Sequence, residues 1–184
     1  QRNVEAGLEM IKNIKPMELQ SEGAIKQFYN STMSMAAGML SDKQFYSSNT
    51  MSKVFNNPNL EQALSMVASV DRADEIRISL RSVANLQRTA LKANLQSMEN
   101  AMSGAVWDQQ DQTYYITGDS GKFLNMPNSA ISGEMTDKGF KIADTSTVFP
   151  EGYKEAIDTR KSLTILDRAI NNLSVEGAEA ETTT

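Results

Sequence analysis

Residues 118 to 122 read Gly-Asp-Ser-Gly-Lys, where the endings of two catalytic signatures overlap. A Walker-type phosphate loop, G-x-x-x-x-G-K-[ST], uses its first glycine to open the turn, its backbone amides to cradle phosphate and its final hydroxyl to hold magnesium. Here Ile116 stands where the first glycine belongs and Phe123 where the hydroxyl belongs. No helix is expected after the lysine either, between Phe123 and Pro127. A Gly-Asp-Ser-Gly peptidase nucleophile needs a histidine base, and the chain has none. Ser120 with Lys122, one residue between them at a strand edge, is not read as a catalytic pair, because Ser120 belongs to the turn and Lys122 to the strand that leaves it. The stretch reads instead as a turn from Gly118 to Gly121, in which glycine supplies positive φ and Asp or Ser bonds the local backbone.

The carboxylates give little more. Asp108, Asp111 and Asp119 lack the alternating spacing and closing glutamate of an EF-hand loop, so they read as solvated loop groups. Asp108 and Asp111 with Tyr114 are the set that an enzyme would have to use. Asn30-Ser-Thr and Asn172-Leu-Ser match the glycosylation pattern, but both fall on helical segments. Cysteine is absent along with histidine, which removes disulfides, thiol catalysis, thiolate zinc sites and the usual general base near neutral pH. No catalytic residue, cofactor or metal site is expected.

The most specific charge pattern is a row on one helix. Arg77, Arg81, Arg88 and Lys92 fall within roughly 60° of one another on an ideal helix, beside its apolar face. The bland reading is a flank whose aliphatic stems cover the edge of the core. The functional reading is a docking stripe for an acidic partner or for phosphates. On the same helix, Ala84, Leu91 and Met98 form one seam of an imperfect heptad. The complementary seam carries Leu80, Gln87, Asn94 and Ala101, so Gln87 and Asn94 would be polar layers of the kind that set register between helices. The interaction set is therefore Arg77, Arg81, Gln87, Arg88, Lys92 and Asn94. Its expected counterparts are carboxylates of a neighbouring chain, such as Glu176, Glu179 and Glu181 of its tail.

These residues need elements to hold them. Val4, Leu8, Ile11 and Ile14 recur at helical spacing up to Pro16. Ile25, Phe28, Tyr29, Thr32, Met33, Ala36, Met39 and Leu40 share a second helical face. Ser41 with Gln44 suggests a capping box for a helix carrying Phe45, Val54 and Phe55. Asn59 with Gln62 suggests another cap. No glycine or proline interrupts Leu60 to Ser103, and the spacing predicts a long central helix over about 72–103, continuous or not across Asp71. Its apolar face runs through Ala73, Ile76, Leu80, Val83, Ala84, Leu91, Leu95, Met98 and Met102. Strands are expected at 114–117, 122–124, 133–136 and 140–143, with a hairpin turn at Asp137, Lys138 and Gly139. Trp107 and the adjacent tyrosines would cover the joint between helices and strands. A last helix is expected between Phe149 and Leu173, with Pro150 near its start.

The fold class that follows is mainly α: a helical bundle with a long central helix and a small β-hairpin region inserted before the C-terminal helix. The expected divisions are a helical region 1–106, a β and loop region 107–149, the helix 150–175 and an acidic, Thr-rich tail 176–184. With 184 residues and 40% hydrophobic content the chain can bury a core. A net charge of −5 gives no global attraction to nucleic acid or to anionic lipid, leaving only the basic row for such a contact. The apolar runs are far shorter than the roughly 20 residues that span a bilayer. Gln1 in place of an initiator methionine suggests maturation, signal removal or trimming.

Together these features suggest a non-enzymatic assembly subunit packing against copies of itself or other subunits. A phage-type virion component is the preferred form, and an extracellular or periplasmic apparatus subunit the alternative. The expected location is a virion or other extracytoplasmic assembly, with the cytoplasm left open. The contrasting expectation is a monomeric binding or regulatory module that uses the basic row or the clustered methionines Met33, Met35 and Met39.

Overall fold

A computed structural model describes residues 2–67, 69–102, 105–117 and 131–174. The expected turn at Gly118 to Gly121, the strand at 122–124, Asp119, and the tail with Glu176, Glu179 and Glu181 lie outside the described residues. The chain is mainly α with a small antiparallel sheet before its C-terminal helix, as its periodicities require. It divides into two compact units, Gln1–Leu91 with Lys161–Thr184, and Lys92–Arg160.

In the first unit, α1 (Arg2–Lys12) buries Val4, Gly7, Leu8 and Ile11, one stripe at steps of three and four. A 3-10 turn at Pro16–Glu18 follows, and α2 spans Glu22–Ser41. Ser21 caps α2, its hydroxyl accepting from the Ala24 amide at 3.1 Å. The two helices pack closely because Gly7 has no side chain: a Cβ there would lie 2.6 Å from the Cβ of Met35. Met35 and Met39 are fully buried, which assigns two of the clustered methionines to the core.

The next boundaries differ from expectation. Ser41 ends α2, and its hydroxyl donates to the Gly38 carbonyl, so no capping box forms with Gln44. The side chain of Asp42 takes the Gln44 amide instead. α3 (Ser48–Phe55) starts later, capped by Ser47 through the Thr50 amide. α4 (Pro58–Met66) starts with proline, which has no N–H to lose, and is capped by Asn57 rather than Asn59. Asn57 also donates to the Ile11 carbonyl at 2.6 Å, tying this cap to α1.

α5 runs from Val70 to Ala101. The stretch from Leu60 is therefore not one helix, although it holds no glycine or proline. Val67, which closes α4, has ψ 130 and turns the chain into an extended conformation.

In the second unit, β1 (Ala105–Asp108), β2 (Thr113–Ile116), β3 (Gly133–Thr136) and β4 (Gly139–Ile142) form a sheet of order β1-β2-β4-β3. β1 was not anticipated; it pairs Trp107 with Tyr114 and Val106 with Tyr115. Period two then separates the faces. Trp107, Tyr114, Ile116, Phe140 and Ile142 lie on one, and Val106, Asp108, Tyr115 and Lys141 on the other. α6 spans Tyr153–Asn172. It begins after Pro150 rather than on it, because Gly152 takes φ +82, outside the helical region.

Candidate interaction surface

The basic row lies on α5 as the spacing predicts, but much of it is engaged within the chain. Arg77 meets Glu61 of α4 at 2.8 Å and Asp74, one turn back, at 3.6 Å. Arg88 Nε lies 2.6 Å from Asp167 Oδ1 of α6, an ion pair not aligned as a hydrogen bond. Arg81 is buried. The carboxylates nearest Arg77 and Arg88 are thus this chain's own, from helices that α5 packs against. Lys92 and Asn94 are exposed.

Gln87 and Asn94, expected as matching layers, have opposite fates. Gln87 is fully buried and neither amide atom has a hydrogen-bond partner among the described residues, whereas Asn94 faces solvent. Helical azimuth does not separate them: Asn94 stands 18 residues, five full turns, from the fully buried Ile76 and so shares its direction. The cover on that side therefore changes along the length of α5, present at Ile76 and Gln87 and absent at Asn94.

The opposite side of α5 was not singled out by its composition. There Ile78 and Leu86 are 48% and 46% exposed, although the helix has a core available for apolar residues. With Ser82 between them, they lie within an arc of about 80°. Ser82 donates to the Ile78 carbonyl at 3.0 Å and Thr89 to the Asn85 carbonyl at 3.1 Å. The hydroxyls are thereby satisfied by their own helix, and the surface from Ile78 to Thr89 carries no charge. Apolar residues left off the buried stripe are the sequence signal that could have found it.

Two polar clusters occupy the sheet unit. On one face, Lys138 Nζ bridges Asp108 at 3.1 Å and Asp111 at 3.0 Å, and Tyr115 donates to Asp111 at 2.6 Å. The amide of Asp111 and then Lys138 hold the Asp108 carboxyl below its usual range; Tyr115 and then Lys138 do so for Asp111. Those carboxylates in turn push the Lys138 ammonium and the Tyr115 phenol upward, Asp111 first. The expected grouping of Asp108 and Asp111 with Tyr114 is corrected here. Strand alternation puts Tyr115 on their face and Tyr114 on the other.

Tyr114 is fully buried and donates to Glu99 at 2.8 Å. Arg160 pairs with the same carboxylate at 2.6 Å, donates to the Tyr114 oxygen at 3.2 Å, and lies 5.4 Å from the centre of the Trp107 ring. Burial, ahead of the bond to Glu99, raises the Tyr114 phenol well above its ordinary value. Trp107 meets Tyr114 edge-on at 4.9 Å. These contacts build an aromatic brace rather than a reactive pair, since each polar group is bonded to its neighbour.

A surface cavity of about 460 Å³ in the first unit is lined by Phe55, Asn57, Leu60, Glu61, Asn172 and Leu173 among others. Two of its polar groups are committed elsewhere: Glu61 to Arg77, and Asn57 to Ile11 and Asn59. Among the described residues no group of three or more acidic side chains could hold a metal ion, and no helix is long and apolar enough to cross a membrane. Compared with protein-family models, curated proteins and solved structures, the chain matches none of them.

Proposed function

We propose that this protein is a non-enzymatic assembly subunit whose helices pack against copies of itself or neighbouring subunits. The observation that carries this reading is the uncharged surface of α5 around Ile78, Ser82 and Leu86. A solvated helix face normally carries charge, and the stretch of this one from Ile78 to Thr89 does not. The state of the carboxylates supports it further. A general acid needs a pKa raised towards neutrality, whereas the Asp111 amide and then Lys138 lower that of Asp108, and Tyr115 and then Lys138 lower that of Asp111.

Within this class we favour a virion component of phage type over an extracellular or periplasmic apparatus subunit. One helix face is a small contact, and small contacts hold where many copies are arrayed and each engagement raises the effective concentration of the next. The test is the native mass of the protein with everything that co-purifies with it, followed by proteomics of purified particles. Many copies in a defined particle are expected. A monomer at high concentration without stable companions would overturn the reading and favour the monomeric binding module.

A further inference from the structure

We infer that the exposed face of α5 takes the α5 of a second copy of this chain, antiparallel, with a two-fold axis at Ser82. This names the partner and geometry of the assembly contact proposed above and rests on that reading. The argument is the symmetry of the face. Ile78 and Leu86, its two large apolar residues between Val70 and Ala101, stand four residues before and four after Ser82. An antiparallel pair crossing at Ser82 therefore sets Ile78 of each chain against Leu86 of the other. Because the contact is two-fold, each pairing is made twice. At the axis itself stands a small side chain whose hydroxyl is already bonded to its own helix, so the backbones can approach closely.

The charges follow the same symmetry. Asp71 lies eleven residues before Ser82 and Lys92 ten after it. Both are exposed, and neither has a partner among the described residues. Each stands about 16 Å along the helix from the axis. For helices crossing at about 20°, the axes are offset sideways there by about 6 Å, which widens their separation from about 9 to about 11 Å, a gap that a lysine side chain spans. Asp71 of one copy then meets Lys92 of the other at both ends. A parallel pair would set Asp71 beside Asp71 and lose this match. The area available on one helix is below the roughly 800 Å² per partner of a standard interface. The isolated pair should accordingly dissociate at tens to hundreds of micromolar, on the order expected of a transient contact.

The chain contains no cysteine, so an introduced thiol is unique. In the full-length protein under mild oxidation, S82C should form a disulfide-linked dimer at least tenfold faster than S97C, an exposed control far from the axis. A mixture of I78C and L86C should give mixed dimers faster than either variant alone. D71K should weaken association by about tenfold, and D71K with K92D should restore it; D71K and the double variant should share the same small fall in melting temperature, because Asp71 stands in the first turn of α5, so only association distinguishes them. Equal rates for S82C and S97C would overturn the inference. So would faster self-linking of I78C, which means a parallel pair, or shielding of the I78C and L86C thiols in a monomer, which means that another part of the chain covers the face. Native particles of many copies in which S82C does not cross-link would sink this contact alone and leave the assembly reading standing.

Discussion

A carboxylate, a cation and a tyrosine hydroxyl meet against each face of the sheet, and the two sets differ chiefly in the cover of the cation. Both tyrosines are buried, and Glu99 and Asp108 are similarly part-buried. Lys138 is 45% exposed against 29% for Arg160. Water screens the Lys138 set and its ions lose little when separated. Arg160 has given up more hydration than Lys138 and also covers Trp107, so its removal should cost more. Equal bond lengths therefore do not imply equal stabilisation.

The upper limit of this scale is a charge buried with no partner. Leu91→Asp would place one on the buried face of α5 and should cost on the order of 4 kcal/mol, abolishing or severely weakening folding. Thr89→Asp, on the exposed side, should stay within about 0.5 kcal/mol of the parent. Urea midpoints decide it, and equal midpoints would break the assignment of faces.

Next in size is Arg160→Ala, which leaves Glu99 with only the Tyr114 hydroxyl and uncovers Trp107. A loss of about 2–3 kcal/mol is expected, accompanied by a change in the fluorescence of the single tryptophan. If the urea midpoint shifted no more than for Lys138→Ala, burial would not be what distinguishes the two clusters.

Gln87 supplies the converse case, a buried polar group without a hydrogen bond. Gln87→Met keeps the approximate volume and removes the unmet donor and acceptor, so it should stabilise by about 1 kcal/mol. Destabilisation in a thermal melt would mean that the amide is satisfied, for example by a buried water.

The smallest effect belongs to Lys138→Ala, which should shift the midpoint by less than a third of the Arg160→Ala shift and lose that difference in about 0.5 M salt. Its pH dependence has a definite sign. Asp108 and Asp111 titrate lower in the folded chain than when free. Their contribution is full above the free carboxylate value near 4 and is lost as pH falls through the lowered folded values. The parent and Lys138→Ala should thus converge in stability in acid. Divergence below about pH 4 would contradict the pairing.

Much of the fold was legible because it depends on local spacing. The stripe of α1, the face of α5 and the last helix follow from apolar residues at steps of three and four. β2, β3 and β4 follow from short β-formers bounded by turn residues. Caps were less legible: Ser41 with Gln44 resembles a capping box as well as Ser47 with Thr50 does, and the choice depends on where the preceding helix stops. The break after Val67 left no glycine or proline to mark it. The arginine row was visible, but its carboxylates were not, since Glu61 and Asp167 lie 16 and 79 positions away from Arg77 and Arg88.

What the sequence determined by itself was therefore what one helix or strand settles alone. It set which residues share a face, that α5 has an apolar side and a basic flank, and that Tyr114 and Tyr115 must point in opposite directions. Packing decided the rest. Gln87 was enclosed and Asn94 released although both share the direction of the buried face, because cover differs along the length of α5. Arg77 and Arg88 were engaged by helices distant in the chain, and Ile78 and Leu86 were left in solvent because no described element covers them. A side chain's chemistry is local, but its partners and its access to water belong to the tertiary structure, and on α5 those decide which face can meet another molecule.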